Sequence, residues 1–265
     1  MKKITTWTML LTATAMITSC GAGRGDAALK FETVSAEKTV SISSEEGAPK
    51  CIVHLTLEAA KEDQGERAKT VNETLARELL DLEAVNLQAA ADSFANAYTA
   101  SYRINIGPLY RDDRGDAAKR PWYEYRYDLK GKAEEGRPGV TVYTANVDYY
   151  EGGAHGVSQR LLLNFDNQTG RQLTLADVFV PDYEQRLNSL LTEKLTELTE
   201  AKDMADLKAK GYLYQTDMFA TENFALGKKA ITFVYNPYEI APYDKGLTEL
   251  TINYGDCKEI LQEAD

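Results

Sequence analysis

From Trp122 to Tyr150 the sequence alternates with a period of two. Tyr123, Tyr125, Tyr127 and Leu129 fall on one side, and Glu124, Arg126, Asp128 and Lys130 on the other. Successive side chains of a strand point to opposite faces, so this pattern predicts a strand with one buried and one wet face. The cluster Glu134-Glu135-Gly136-Arg137-Pro138-Gly139 interrupts the run before Val140 to Tyr150 resumes it, which predicts a long antiparallel hairpin. An isolated hairpin with one apolar face is not stable in water, so the chain is committed to a layered fold that covers that face.

The rest of the chain supplies the covering layers. Pro49 opens a further strand, in which Cys51, Val53, Leu55 and Leu57 alternate with Ile52, His54 and Thr56. Val71, Leu75, Leu79 and Leu82 recur at helical spacing, and after a break at 83–86 so do Leu87, Phe94 and Tyr98. A second hairpin carries Leu161, Leu163 and Phe165 in one arm and Leu173 and Leu175 beyond a turn at Asp166 to Gly170, with Thr174 placed to cap a turn carrying Asp177. Asp182 to Lys210 is the strongest helical region, stopped by Gly211, and strands return at Ile231 to Tyr235 and Leu247 to Tyr254. Strands and helices do not alternate regularly, so a doubly wound parallel sheet is excluded and the fold class is α+β, mainly antiparallel sheets covered by helices.

The N-terminus has its own logic. Lys2 and Lys3 precede a mostly apolar stretch from Ile4 to Ile17, too short to span a bilayer, and Ile17-Thr18-Ser19-Cys20 follows as a cleavage signal. This is the architecture of a bacterial lipoprotein signal peptide over residues 1–19, with Cys20 as the lipidated first residue of the mature chain. Residues 20–30, rich in Gly and Ala, form a tether. Acyl chains stabilise membrane attachment by roughly 0.8 kcal/mol per buried methylene, so two or three of them anchor the protein durably. The expected location is the cell envelope, with the outer membrane facing the periplasm as the preferred site.

The formal net charge is −11, and losing Lys2 and Lys3 makes it more negative still. Such a surface repels nucleic acid and anionic headgroups, and it either serves solubility alone or also steers cationic partners toward it. Cys51 and Cys257 stand near opposite ends of the mature chain. They are either a disulfide, whose loop of about 200 residues would contribute up to roughly 5 kcal/mol, or two buried free thiols.

Catalytic motifs are scarce. With His54 and His155 the only histidines, a three-histidine zinc site is impossible, and no G-x-S-x-G elbow, phosphate-binding loop or dinucleotide fingerprint occurs. No cofactor or metal is expected. Two loops stand out instead. In Tyr149-Tyr150-Glu151-Gly152-Gly153-Ala154-His155-Gly156, three glycines surround a histidine, which suits either a recognition loop or a sharp exit from a strand. In Asn236-Pro237-Tyr238-Glu239-Ile240-Ala241-Pro242-Tyr243, two prolines stiffen a backbone that carries tyrosines around a glutamate. That loop suits binding at little entropic cost or a wide connection with its rings packed inward.

Together YYEGGAHG at 149–156, LLLNFDNQTGRQLTLADVF at 161–179 and ITFVYNPYEIAPYDKGLTELTI at 231–252 resemble the RsiV-like envelope domain family, over roughly residues 31–260. The resemblance implies an N-terminal α/β module over 31–157 and an RsiV C-terminal-type module over 158–265. The best understood relatives are anti-sigma factors whose extracytoplasmic part binds lysozyme. The N-terminal module also occurs beside polysaccharide deacetylase domains. This chain departs from the anti-sigma pattern, with no sigma-binding segment and no transmembrane helix in the sequence, so a binding surface is what carries over. The implied surface is Tyr149, Tyr150, Glu151 and His155 with Tyr238, Glu239 and Tyr243. The expectation is therefore a lipid-anchored binding protein without catalytic activity, whose partner is lysozyme, another cationic protein, or a peptidoglycan-related glycan. The alternatives are an envelope glycan hydrolase using two carboxylates about 5 to 9.5 Å apart and a structural or assembly lipoprotein.

Overall fold

The computed structural model describes residues 28–262, so the leader, Cys20 and most of the tether lie outside the described residues. Two sheets organise the chain. The first has six strands in the order β1 to β6: β1 (Phe31–Ser41), β2 (Lys50–Ala60), β3 (Tyr125–Glu135), β4 (Val140–Glu151), β5 (Val157–Asp166) and β6 (Gln172–Leu173). The second has three: β7 (Phe224–Leu226), β8 (Ala230–Tyr235) and β9 (Thr248–Asn253). All neighbours are antiparallel except β2 and β3. A parallel pair needs a long crossover, and the segment between β2 and β3 supplies it with α1 (Glu66–Leu80), α2 (Leu87–Ser101), a π-helical turn at Tyr102–Ile106, and α3 (Gly107–Asp113).

The expected alternation holds in β2, where Cys51, Val53, Leu55 and Leu57 are buried and His54 and Thr56 are exposed. The two periodic helices are separate, α2 starting at Leu87 with the Asn86 side chain accepting from the Ala89 N–H at 2.9 Å. Thr174 and Asp177 form a reciprocal capping box on α4 (Leu175–Val178). The long helix expected over 182–210 is broken into α5 (Glu184–Thr199) and α6 (Met204–Ala209). Glu200 closes α5 in the left-handed region and the Asp203 side chain caps α6.

Two hydrophobic clusters form the core. One spans Leu29 to Phe165 between the first sheet and α1 and α2; the other gathers β7 to β9, α4 to α6 and Val140 of β4. The expected module boundary at 157 and 158 falls at the start of β5, inside the six-stranded sheet. Three asparagines then join β5 to the second sheet. The Asn236 side chain accepts from the Arg160 N–H at 2.7 Å. Asn223 accepts from the Leu162 N–H at 2.7 Å and donates to the carbonyls of Arg160 and Val234 at 2.8 and 2.9 Å. Asn164 donates to the Phe224 carbonyl and accepts from the Leu226 N–H, both at 2.8 Å. These side chains satisfy backbone groups of β5, β7 and β8.

The disulfide does not form. Cys51 and Cys257 are both free and buried, one in each hydrophobic cluster, where packing rather than pairing accounts for them. Burial is the main cause that pushes the Cys51 thiol up to about 12 and the Cys257 thiol to about 11.

Candidate functional site

Strand register decides which loops share an end of the molecule. Ser41 pairs with Lys50, Cys51 with Tyr125, Tyr125 with Glu151, and Tyr149 with Val157, so the exit of β4 lies at the end where β1 finishes. Phe31, where the chain enters β1, pairs with Ala60 at the opposite end.

At the β4 exit the backbone turns through Gly152 and Gly153, with φ of 85° and 91°. A Cβ at Gly152 would lie 2.6 Å from the Trp122 carbonyl oxygen, so the tight approach demands glycine. The turn leaves His155 exposed, its Nδ1 donating to the Gly156 carbonyl at 2.9 Å, which puts the proton of a neutral ring on Nδ1. The second loop is fastened by Asn236 to β5. The Asn236 N–H donates to the Glu239 carboxylate at 2.6 Å, and the Tyr238 N–H donates to the Ala241 carbonyl at 2.9 Å. Burial of the Glu239 carboxyl raises its pKa, and the Asn236 hydrogen bond opposes the rise.

The two loops meet. The Tyr243 ring stacks on His155 with centroids 3.9 Å apart and planes 19° from parallel, and its hydroxyl donates to the Gly156 carbonyl at 2.7 Å. Tyr238 in turn stacks with Tyr243 at 5.8 Å and 29°. The result is a column of three rings, His155, Tyr243 and Tyr238, built from segments more than 80 residues apart. A shallow cleft of about 280 Å³ on one side is lined by Arg126, Tyr150, Gly156, Ser158 and Tyr243. Another, of about 270 Å³, is lined by Tyr214, Gln215, Thr216, Tyr238, Glu239 and Pro242.

The remaining expected residues have supporting positions. Tyr149 is half-buried and stacks on Tyr127 at 6.0 Å, against the first core. Tyr150 donates to the Gly153 carbonyl at 2.9 Å and stiffens the turn. Glu151 accepts from the Tyr98 hydroxyl at 2.6 Å, and burial with that carboxylate pushes the Tyr98 pKa upward. His54 lies apart, on β2, with Nδ1 3.2 Å from Asp128. Tyr214 was not singled out from the sequence, yet it is 74% exposed beside Tyr238. The legible signal for it is the aromatic run Gly211-Tyr212-Leu213-Tyr214 just after a helix stop. Among the described residues no cluster of His, Cys, Asp and Glu is arranged to hold a metal ion, and no helix is long and apolar enough to cross a membrane.

Residues 176–255 match the family model described as "Protein of unknown function (DUF3298)". The chain carries a DUF3298 domain. Tyr238, Glu239, Tyr243 and the Tyr214 loop lie within it, whereas His155 comes from the preceding part of the chain. A crystal structure of a DUF3298 family member from Bacteroides fragilis NCTC 9343 is similar over 91% of this chain and 96% of its own, at 26% identity and a TM-score of 0.81. A DUF3298 family protein from Pseudomonas aeruginosa PAO1 shares the fold at 22% identity and a TM-score of 0.58, covering 89% of this chain and 96% of its own. None of the curated proteins matches the chain. The shared architecture therefore extends well upstream of the DUF3298 domain, through the six-stranded sheet that presents His155.

Proposed function

We propose that this protein is an RsiV-like, lipid-anchored binding protein of the bacterial envelope, attached through Cys20 and without catalytic activity. Its His155–Tyr243–Tyr238 column is the centre of the surface that engages a cationic protein of the lysozyme type or a peptidoglycan-related glycan. The observation that carries this reading is the convergence of two loops, distant in sequence, into one ordered column whose outermost ring, Tyr238, is 66% exposed. Rings already held in place lose little entropy on binding, and tyrosine contributes a large amphipathic contact area. The column also stands at the end of the sheet opposite Phe31, an arrangement that suits a surface held away from an anchor at Cys20. The net charge of −11 adds long-range attraction for a basic partner.

The test is binding of the purified protein to lysozyme and to soluble peptidoglycan fragments at two salt concentrations. Saturable binding to one of them, weakened by Tyr238→Ala, is expected, and binding to neither overturns the partner assignment. For the anchor, Cys20→Ala is expected to release the protein from membranes or stall its processing. A processed Cys20→Ala protein that stays on the membrane refutes lipidation at that residue.

A further inference from the structure

We propose that the cleft between Tyr214 and Tyr238 receives a single basic side chain, arginine or lysine, from a cationic protein partner, with its charged head over the tyrosine faces and against Glu239. The proposal rests on the binding-protein reading and names the contact that selects the partner.

Backbone strain marks the cleft first. Among the described residues five non-glycine residues have positive φ, and three of them sit at helix ends: Asp81 and Glu200 close α1 and α5, and Asp182 lies just before α5. The other two are Leu213, at 53°, and Tyr238, at 75°, and neither caps a helix. Left-handed backbone at a bulky residue costs roughly 1–2 kcal/mol and persists only where the surroundings enforce it. Here the Leu213 N–H donates to the Ile240 carbonyl at 2.8 Å, which ties the Tyr214 loop directly to the Tyr238 loop. The strain is spent on holding Tyr214 and Tyr238 outward beside a shared cleft.

The chemistry of the lining then selects the occupant. Tyr214 is largely exposed and makes no ring contact among the described residues, and Tyr238, also exposed, stacks with Tyr243. Glu239 is the one charged residue in the lining, and only one of its carboxylate oxygens is engaged, by the Asn236 N–H. Aromatic faces attract cations through the ring quadrupole, and a carboxylate beside them adds charge pairing that an anionic ligand would meet as repulsion. At about 270 Å³ the cleft lies just under the range of drug-sized pockets, which suits one side chain. Gln215 and Thr216 complete a polar rim.

The test titrates the full chain with three probes: a blocked arginine peptide, the same peptide with citrulline in place of arginine, and a disaccharide of N-acetylglucosamine. Chemical-shift changes report binding. The arginine peptide is expected to saturate with a Kd of about 1 mM, the weak range proper to one side chain. Citrulline, which keeps the shape and loses the charge, is expected to bind at least about fivefold more weakly. Glu239→Gln retains an acceptor for the Asn236 N–H and is expected to abolish that preference with the melting temperature unchanged. Tyr214→Ala, at an exposed position, is expected to weaken both peptides. Equal affinity for arginine and citrulline, or saturation by the disaccharide alone, overturns the proposal. Lysozyme binding that persists unchanged in both variants also overturns it while leaving the binding-protein reading intact. Arginine-peptide selectivity without lysozyme binding supports the cleft and removes lysozyme as the partner.

Discussion

Asn164 is the sharpest test of how the two sheets are joined. It is 1% exposed, and its amide takes up the Phe224 carbonyl and the Leu226 N–H at 2.8 Å each. Asn164→Ala leaves one buried donor and one buried acceptor without partners, at about 1–3 kcal/mol each, so the expected cost is about 4 kcal/mol. For a chain of this size that corresponds to a fall in melting temperature of roughly 8–16 °C. Asn164→Asp separates the two bonds. A carboxylate still accepts from Leu226 but faces the Phe224 carbonyl with no proton to offer, whereas the protonated acid restores both bonds. Burial and the facing carbonyl raise the folded-state pKa above the unfolded value of about 3.9. Stability from the acid form is thus fully present below that unfolded value and lost as pH rises through the folded one. Urea denaturation is expected to place Asn164→Asp nearer the parent protein at pH 4 than at pH 8. A cost below about 1 kcal/mol for Asn164→Ala, or an Asp variant that gains stability relative to the parent as pH rises, refutes the bridging role.

Other perturbations separate positioning from binding. Tyr243→Phe keeps the ring stack and loses the hydrogen bond to the Gly156 carbonyl, at about 1 kcal/mol, while Tyr243→Ala also removes the contacts to His155 and Tyr238. Partner binding is expected to weaken more in the Ala variant, with a melting temperature only a few degrees lower; a large stability loss with unchanged binding reverses the assignment. Cys51 and Cys257, with thiols pushed up to about 12 and about 11, are expected to resist a thiol reagent at pH 8 until the protein is unfolded. Rapid labelling of the native protein contradicts their burial. The Arg171 guanidinium and the capping bonds to Thr174 hold Asp177 down at about 2. Its folded pKa is depressed, so its contribution is full above the unfolded value and vanishes as pH falls through about 2. Asp177→Asn is expected to cost about 1–2 kcal/mol at pH 7 and a smaller amount at pH 2.5, and a pH-independent cost refutes the linkage.

The parts legible in sequence are those where burial imposes a period. β2, the β3–β4 hairpin, β8 and β9 each have one face in a core, and their alternation follows from it. β1 escaped because only Ala36 in it is fully buried; its apolar residues are few and scattered, and β2 and α2 hold it in place. β7 has three residues, too few to show any period. The parallel alignment of β2 and β3 is a property of a crossover, which no local pattern encodes. The candidate site divides the same way. Each loop announces itself by glycines, prolines and tyrosines, but their meeting depends on Asn223 and Asn236 reaching β5 across more than 60 residues. An asparagine that substitutes for a strand looks, in sequence, like any loop asparagine.

The direction in which the column points also has a direct optical test. Strands of 11 residues rising about 3.3 Å each separate Phe31 from the end of β1 by roughly 35 Å. The eight residue steps from Cys20 to Ala28 extend at most about 28 Å, and a protein anchored at Cys20 as proposed holds the column well clear of the headgroups whenever the sheet stands upright. Trp122 reports on that end: it is 54% exposed, and its carbonyl abuts Gly152 in the His155 turn. The two tryptophans are Trp7 and Trp122, so in a chain processed at Cys20 as proposed the fluorescence comes from Trp122 alone. In vesicles carrying the lipidated protein, brominated acyl chains, which quench only on contact, are expected to leave Trp122 emission unchanged. A soluble quencher such as acrylamide is expected to reduce it. Bound partner should then shield Trp122 from acrylamide, because the ring column and the Trp122 turn share one end of the sheet. Quenching by the brominated lipid instead would mean that the sheet lies flat with its far end at the membrane, and a surface so occupied is closed to a soluble partner.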